Sequence, residues 1–520
     1  MKKIIGFSFL IILISFLLFL SKYLVIEEIL EFYLIPILLV IIVASIPYLI
    51  IRIFKKISYK KFITNSLLAA CILQVVIMSL ILWSATPRYF SREQVVKDIN
   101  YAIKVAEDVH PNLYAIISKD SFYANTDSIK KSLPEKMSDA ETDKTFRRIF
   151  SHIQDAHTGP GTVIFMKRLA FLFRKTLPYK IVIKNERLFV AKNYFYRNTI
   201  PVGSEIAEIN GKPASKCLNE ISKLLSYENI PSRNAKLQLP FLWALWNDFE
   251  NFEITYKAPG TKTIKTIRTS GGLISNILFI KDINISERYS YRTMDGNIGY
   301  MEFNSCNNLD EFKAFLETTF KLIKSNKIKQ LIIDIRRNEG GSSSLGDELM
   351  QYISKTDFKT FDSAFVKISN ELEKKGAFNW IDSTKRIVGT MIYDTTETSI
   401  RKLRDNPLLY NGKSYLLVGG KTFSSATNFA SSFQCYKVGK ILGTETGGLT
   451  SCFGEGYTFE LPNTKFDMKV ATKKFVNACG ISNRRGIIPD YIIENSFADD
   501  KKGIDRVLEF TIDLTKQNRN

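Results

Sequence analysis

The stretch KTFSSATNFA (residues 421–430) joins a short apolar run, SYLLVGG (414–420), to a segment with apolar residues at helical spacing. The apolar run predicts a buried strand, and the Ser and Thr residues that follow favour a helix N-terminus. Ser424 and Ser425 therefore fall where a strand turns into a helix. A hydroxyl at such a corner can point out of the sheet, and free N–H groups of the helix start can stabilise a developing negative charge. An ordinary capped helix shows the same pattern, so the corner alone leaves catalysis open.

The residues before this stretch repeat its plan. NIGYMEFNSC (297–306) predicts a strand, LDEFKAFLETTFKLIKSNK (309–327) a helix, and KQLIIDIRRNEGGSSSLGDELMQYI (329–353) a buried strand, a glycine turn and a helix. Strands that alternate with helices predict an α/β core, whose mainly parallel sheet is connected by crossover helices. Active sites of such sheets gather at the carboxyl ends of the strands, so the turns at 338–341 and 422–426 indicate a site.

The three histidines of the chain all precede this core. His152 falls in a helical pattern. His110 precedes a proline at the end of the helix predicted over 91–114, a common structural setting. His157 lies in the loop DAHTGPGT (155–162), and a histidine on a loop is the better candidate for a catalytic base.

Residues 176–270 change to a pattern of short strands, and NFEITYKAPGTKTIKTIRT (251–269) predicts two of them. The stretch G-S-E-I-A-E-I-N-G-K-P (203–213) resembles a PDZ domain of the type associated with bacterial proteases. This resemblance implies a groove that binds an extended peptide by strand addition. A β-rich spacer without a ligand is the alternative.

Three apolar runs cover 4–20, 33–51 and 66–83, and each is near the length that crosses a bilayer. Lys and Arg residues precede the first run and fill the loop after the second, whereas the loop after the first is acidic. The positive-inside rule then places the N-terminus in the cytoplasm and everything after Trp83 outside it. We therefore expect three transmembrane helices in contact with membrane lipid, a multi-pass cell-membrane localisation and an extracytoplasmic catalytic part.

Composition argues against other classes of function. The chain of 520 residues has 72 Lys+Arg against 52 Asp+Glu, a net charge of +20, but these residues are scattered and form no nucleic-acid motif. We therefore predict no nucleic-acid partner. The six cysteines show no CxxC or Cys/His cluster, so we expect no zinc site. A disulfide among Cys435, Cys452 and Cys479 is neither implied nor excluded.

Four motifs together resemble one enzyme family. D-I-R-R-N-E-G-G (334–341), T-F-S-S-A-T-N (422–428), G-T-E-T-G-G (443–448) and R-G-I-I-P-D (485–490) occur in the same order as similar motifs of the tail-specific, C-terminal processing peptidases and their tricorn-like relatives. The resemblance extends over residues 90–500 and implies a ClpP/crotonase-like core that follows a helical cap and a PDZ-like domain.

The same resemblance implies residue roles around the two turns. Ser425, directly before Ala426, matches the family's nucleophile at the start of a helix. The amides of Ala426 and of the turn at Gly340 and Gly341 would form the oxyanion hole. No metal or organic cofactor is implied.

The general base separates two branches of this family. One branch uses a lysine, but the equivalent stretch here, TGGLTSCFGEG (446–456), has none. The tricorn-like branch uses a histidine that precedes the PDZ region, and D-A-H-T-G (155–159) resembles that element, which implies His157. Three residues stay open as the group that orients the base: Asn483, Glu445 and Asp155.

These expectations divide the chain into five segments: a membrane anchor (1–88), a helical cap (89–172), a PDZ-like domain (173–275), an α/β peptidase core (276–500) and a C-terminal helix or tail (501–520). The leading hypothesis is a membrane-anchored serine peptidase that cleaves peptide bonds in extracytoplasmic proteins or peptides. The alternatives are a non-catalytic peptide-binding or sensory protein on the same fold and a transport component. The apolar runs lack charged residues, which favours anchoring over transport.

Overall fold

The computed structural model describes most of the chain after residue 87. The described residues are 88–161, 174–195, 199–246, 249–279, 287–294, 297–379, 381–382, 384 and 386–517. The chain forms two compact units, and of the smaller one only residues 273–279 are described. The larger unit comprises Arg88–Lys167, Arg174–Gly272 and Ile285–Asn520.

The N-terminal part of the larger unit is mainly helical. Its elements are β1 (Tyr89–Ser91), α1 (Arg92–Val109), α2 (Lys119–Lys131), β2 (Lys136–Ser138), α3 (Asp139–Ser151) and β3 (Gly159–Pro160). Ser91 and Ser138 begin α1 and α3 through capping boxes with Gln94 and Glu141, in which each side chain bonds to the other residue's backbone amide. The first helix ends directly before His110, which confirms the predicted end.

The next part is built around an antiparallel sheet. Its elements are β4 (Lys175–Thr176), β5 (Tyr179–Lys184), β6 (Arg187–Asn193), β7 (Glu205–Ile209), β8 (Lys212–Pro213), α4 (Ala214–Ser222), α5 (Ile230–Leu237), α6 (Pro240–Trp246), β9 (Asn251–Lys257), β10 (Ile264–Ser270), β11 (Gly272–Leu273) and α7 (Ile274–Phe279). The strand order is β10–β9–β7–β6–β5, and β8 pairs with β7. The hairpin β9–β10 confirms the two strands predicted over 251–269. Buried and partly exposed residues alternate along β5, as expected of a sheet that covers a core with one face.

The last part carries the main sheet. Its elements are β12 (Tyr289–Met294), β13 (Ile298–Phe303), α8 (Leu309–Ser325), β14 (Gln330–Asp334), α9 (Ser343–Ile353), β15 (Phe361–Lys367), α10 (Asn370–Glu373), β16 (Met391–Tyr393), β17 (Lys413–Val418), α11 (Ser425–Cys435), β18 (Gly439–Gly443), β19 (Ser451–Gly454), β20 (Tyr457–Glu460), β21 (Asp467–Val470), β22 (Lys473–Asn477), β23 (Tyr491–Ile492), α12 (Phe497–Lys502) and α13 (Arg506–Gln517).

The main sheet has the order β12–β13–β14–β17–β18–β23, and only the pair β12–β13 is antiparallel. All five residues of β14 are buried, which explains why the three residues between Gln330 and Asp334 are all apolar. Because β14 and β17 are parallel neighbours, the turns that follow them meet at one edge of the sheet. The Phe423 amide donates to the Asn338 carbonyl across 3.1 Å and joins the two turns there.

Two smaller sheets complete this part of the fold. One is antiparallel in the order β16–β15–β22–β19, and the other has the order β20–β21–β3. In the second, Gly159 of β3 lies opposite Lys469 of β21. The histidine loop is therefore attached by backbone pairing to the part of the chain that carries the main sheet.

The structure corrects the expected fold class and localisation, both of which included three transmembrane helices. Within the described ranges, no helix combines the length and the apolar character needed to cross a membrane. The longest helix of the described residues, α1, has 18 residues but carries charged side chains along its length. The apolar runs at 4–20, 33–51 and 66–83 lie outside the described residues. The described residues therefore do not support a multi-pass membrane protein.

Candidate active site

The turn between β17 and α11 holds Ser424 in an uncommon backbone conformation. Its φ of 51° and ψ of −126° lie outside the regions that non-glycine residues ordinarily adopt. Such strain persists only where the surroundings enforce it, and it concentrates at functional sites. The Ser424 side chain forms no capping hydrogen bond to α11, although it occupies the N-cap position. The hydroxyl is thus held at a sharp strand-to-helix turn of the kind that presents a nucleophile.

His157 faces this hydroxyl. Its Nε2 lies 3.3 Å from Ser424 Oγ, and its ring stacks on Phe423 with centroids 5.2 Å apart and an interplanar angle of 19°. The stacking fixes the plane of the imidazole, and the pairing of β3 with β21 fixes its loop. The nitrogen that faces the hydroxyl can accept its proton once the ring is neutral.

Two buried carboxylates face the other ring nitrogen. Glu228 Oε1 lies 3.3 Å and Asp155 Oδ1 lies 3.7 Å from His157 Nδ1. The Glu228 side chain is 3% exposed, and neither of its oxygens accepts a hydrogen bond from the described part of the chain. The contact between Glu228 and His157 has the distance of an ion pair without the alignment of a hydrogen bond. Catalytic hydrogen bonds often become aligned only when substrate binds.

These charges set the protonation of the base. Burial of the His157 ring disfavours its charged form, but Asp155 and Glu228 outweigh burial and raise the pKa of His157 to about 9. At neutral pH the resting imidazole is therefore mostly protonated, and the fraction able to act as a base grows with pH.

Asp155 is fixed by a second histidine. The Asn112 amide donates to His110 Nδ1 across 3.0 Å, so the neutral ring carries its proton on Nε2 and donates it to Asp155 Oδ2 across 3.1 Å. Asp155 Oδ1 accepts from the His157 backbone amide at 2.9 Å. Burial opposes ionisation, but the hydrogen bonds from both histidines hold the pKa of Asp155 well below its usual range.

Ser425, the nucleophile that the family resemblance implied, points elsewhere. Its side chain is buried, donates to the Gly341 carbonyl oxygen across 2.6 Å and accepts from the Ser343 hydroxyl at 3.1 Å. The structure therefore brings His157 to Ser424 and does not bring it to Ser425. Ala426, the expected oxyanion donor, already gives its amide hydrogen to the Phe423 carbonyl oxygen at 3.1 Å.

The glycine turn lies directly against Ser424. A Cβ added to Gly340 would lie 2.8 Å from Ser424 Cβ, and its φ of 103° also favours glycine. The Gly340 amide donates to Asn338 Oδ1 at 2.9 Å. The amides of Gly341 and Ser425 donate to no acceptor among the described residues, so both are free to stabilise an oxyanion.

The other two residues considered for orientation of the base lie in a different network. Glu445 binds Arg485 through two contacts of 2.9 and 2.8 Å and accepts from the Gly486 amide. Asn483 accepts from Thr450 and from the Arg485 amide. Of the three residues left open, only Asp155 approaches His157. Glu228 was not among the residues predicted from the sequence.

The same groups could also hold a cation. One ligand atom each of Asp155, His157 and Glu228 lie within 4.8 Å of one another. A divalent metal bound there would take His157 Nδ1 as a ligand in place of its proton, with two carboxylates as the oxygen ligands that such ions accept.

Comparisons with known proteins agree with this chemistry. Residues 297–493 match the model of peptidase family S41. The match contains Ser424 and the glycine turn, whereas His157 and both carboxylates lie outside it. A search of curated proteins gave no match. The family match identifies the chain as a serine-type peptidase.

Two structures of CPAF show the same fold at low sequence identity. Mature CPAF in complex with lactacystin is 14% identical, with 82% of this chain and 98% of that chain covered and a TM-score of 0.59. Mature CPAF alone is 14% identical, with 82% and 97% covered and a TM-score of 0.56. The photosystem II D1 C-terminal processing protease is 14% identical, with 77% and 93% covered and a TM-score of 0.40.

Proposed function

We propose that this serine-type peptidase cleaves peptide bonds in polypeptides with Ser424 as its nucleophile and His157 as its general base. The observation that carries the proposal is the 3.3 Å contact between Ser424 Oγ and His157 Nε2, with the other ring nitrogen 3.3 Å from the Glu228 carboxylate. A nucleophile, a base and a group that orients the base are thereby aligned in the order that acyl transfer requires.

The first half of the reaction forms an acyl-enzyme. Neutral His157 accepts the Ser424 proton while Oγ attacks the carbonyl carbon of the substrate. The resulting oxyanion receives the amide hydrogens of Ser425 and Gly341, which is worth a factor of about 10²–10³ per donor in related chemistry. The imidazolium, stabilised by Glu228, then donates its proton to the leaving amine as the peptide bond breaks.

The second half regenerates the enzyme. Water replaces the amine, His157 Nε2 accepts a proton from it, and the hydroxide adds to the acyl carbon. Collapse of the second oxyanion releases the carboxylate product, and His157 returns its proton to Ser424. No step requires a metal or an organic cofactor.

Two further roles belong to the same proposal. Ser425 acts as a positioning residue, because its hydroxyl holds the Gly341 carbonyl and so fixes the orientation of the glycine turn. The segments 89–172, 173–275 and 276–500 serve as cap, PDZ-like domain and catalytic core. Strand addition of substrate at the PDZ-like domain remains a prediction from the sequence.

A serine-directed fluorophosphonate probe tests which hydroxyl reacts. We expect the probe to label Ser424 and peptide cleavage to fall at least about 10³-fold in Ser424→Ala, because the nucleophile is lost. Ser425→Ala should keep the label and lose about tenfold in cleavage, the effect of one hydrogen bond that positions the oxyanion turn. Thermal unfolding of both variants controls for damage to the fold.

Two results would contradict the proposal. Labelling at Ser425, identified by mass spectrometry of the modified peptide, would show that Ser425 is the nucleophile. Full peptide cleavage by both single variants and no labelling of either serine would show that neither hydroxyl is the nucleophile.

A further inference from the structure

Two cavities of about 520 and 540 Å³ adjoin the catalytic histidine. They share the following lining residues: Ala156, His157, Glu339, Phe423 and Lys469. Ser424 lines only the larger cavity. A substrate attacked at Ser424 can therefore extend past His157 into the smaller cavity, which we call the histidine-side cavity.

The place of His157 assigns this cavity to one side of the cleaved bond. A general base that takes the serine proton must later give it to the leaving amine, so it faces the leaving-group side of the substrate. The histidine-side cavity is lined by His157 and not by Ser424. It would therefore receive residues that follow the cleaved bond.

The lining of this cavity combines apolar side chains with cations. Four leucines and two phenylalanines supply most of the apolar part: Leu224, Leu225, Leu239, Leu242, Phe241 and Phe423. The cations are Arg147, Lys236, Lys421 and Lys469, against Glu339 as the one acidic residue among those lining it. Arg147 is already paired with Asp143 at 2.8 Å. Three lysines are left to give the cavity a positive potential.

Lys236, on α5, is the most confined of these lysines. Its ammonium donates to the Ser226 carbonyl oxygen at 2.9 Å and lies 5.4 Å from the centroid of the Phe423 ring, on which His157 stacks. No carboxylate of the described residues lies within ion-pair distance of it. Burial lowers the pKa of Lys236. A partly buried cation without an adjacent counter-ion is costly for the fold, and an anionic ligand removes that cost.

Three carboxylates attract Lys236 without forming an ion pair with it: Glu228, Asp155 and Glu339. The first two contact His157 instead. Lys236 also differs from Lys421 and Lys469, which are exposed and can remain hydrated.

We propose that Lys236 is a specificity-determining residue that binds a substrate carboxylate on the leaving-group side of the cleaved bond, next to an apolar side chain. The inference rests on the proposed peptidase function. The preferred substrate is thus a peptide in which an apolar residue and a carboxylate follow the cleaved bond. That carboxylate can belong to an Asp or Glu side chain or to the end of the chain.

Matched quenched-fluorescent peptides test this proposal. In the first pair, the residue two positions after a leucine at the intended cleavage site is Asp in one peptide and Asn in the other. In the second pair, one peptide ends in a free carboxylate and the other in an amide. Mass spectrometry locates each cut. We expect the wild-type protein to cleave the acidic member of one pair about tenfold faster in kcat/KM, the effect of one charge-assisted hydrogen bond. The pair that shows the preference identifies the source of the carboxylate.

Three variants separate recognition from other roles. Lys236→Met should bring the ratio between acidic and neutral peptide close to one, and Lys236→Arg should keep most of it. Lys216→Met, which removes an exposed lysine on α4, should leave the ratio unchanged. If Lys236→Met does not fold, a reduced ratio in Lys236→Gln replaces it as the required result.

Two outcomes would overturn the inference. The first is a wild-type ratio near one for both pairs while neutral peptides are cleaved. The second is an equal loss on acidic and neutral peptides in Lys236→Met with a displaced pH profile, which would make Lys236 a counter-charge for Asp155 and Glu228. Absence of cleavage of every peptide by the wild-type protein would instead refute the proposed function.

Discussion

Replacement of Glu228 by Gln tests whether this carboxylate raises the pKa of His157 and keeps its proton on Nδ1. The substitution keeps the shape of the side chain and removes its charge 3.3 Å from Nδ1. A glutamine amide can also donate to Nδ1, which would leave the proton on Nε2, where it blocks acceptance of the Ser424 proton. We therefore expect two separable effects, one on the pKa of His157 and one on the maximal rate.

The magnitude follows from the geometry. Two unit charges 3.3 Å apart attract by about 5 kcal/mol at an effective dielectric constant near 20. Burial opposes this attraction, and a pKa of about 9 against an ordinary 6.5 leaves a net stabilisation of the imidazolium of about 3 kcal/mol. Because Asp155 remains at 3.7 Å, we expect the pKa of His157 to fall by about one to two units in Glu228→Gln.

The rate effect opposes the pKa effect at neutral pH. Loss of the correct tautomer lowered activity by about 10⁴ in a related triad, and we expect about 10²–10³ here because Asp155 still favours a proton on Nδ1. At pH 10, where the wild-type base is mostly neutral, the full loss should be visible. At pH 7 the neutral fraction of this histidine is about 10- to 50-fold larger in the variant, so its loss relative to the wild-type protein should be smaller by about that factor.

Measurement of kcat/KM from pH 6 to 10.5 checks both effects, because this parameter reports the free enzyme's pKa values. Wild-type activity should rise toward an apparent pKa near 9. Glu445→Gln is the matched control, since Glu445 pairs with Arg485 away from His157 and its loss should leave the profile in place. Wild-type rates and an unshifted profile in Glu228→Gln would refute the reasoning.

Stability provides two further predictions. The pKa of His157 is raised on folding, so its stabilising contribution is complete below about pH 6.5 and disappears as the pH rises through about 9. Denaturant unfolding should show that the free energy of unfolding falls by up to about 3 kcal/mol over this interval, and this fall should be absent in His157→Gln. Cys435 and Cys479 form a disulfide across 44 residues, so the double alanine variant should lose about 2–4 kcal/mol of unfolding free energy and become insensitive to reductant. A free energy of unfolding that does not change with pH would contradict the first prediction. Equal stability of the wild-type protein and the double alanine variant would contradict the second.

Much of the core was predictable because its signals are local. The apolar runs that became β14 and β17 are continuous since both faces of these strands are covered, and the helices after them begin at Ser-rich turns. The antiparallel sheet β16–β15–β22–β19 was not predicted. Its strands come from distant parts of the chain, as in the pairing of Ala364 with Phe475, and no short-range pattern determines such a register.

The site was predictable only where a residue type is rare or a turn is distinctive. With three histidines in the chain, a flexible loop was enough to select His157. Glu228 is one of many acidic residues, and SYENIPS (226–232) has no motif that indicates its burial. It reaches His157 because the chain before α5 returns to the cap, a long-range contact that spacing cannot reveal.

The choice between the two serines shows what a motif leaves undetermined. A Ser–Ser–Ala sequence matches a Ser–Ala motif at Ser425, yet the backbone decides which hydroxyl is free. Ser425 is the first helical residue and its side chain turns inward to Gly341, whereas Ser424, with its φ of 51°, faces His157. A nucleophile at Ser424 also requires that the oxyanion donor move from Ala426 to the next amide after Ser424. That requirement fits the hydrogen bonds, since the Ala426 amide is occupied and the amide of Ser425 is free within the described chain.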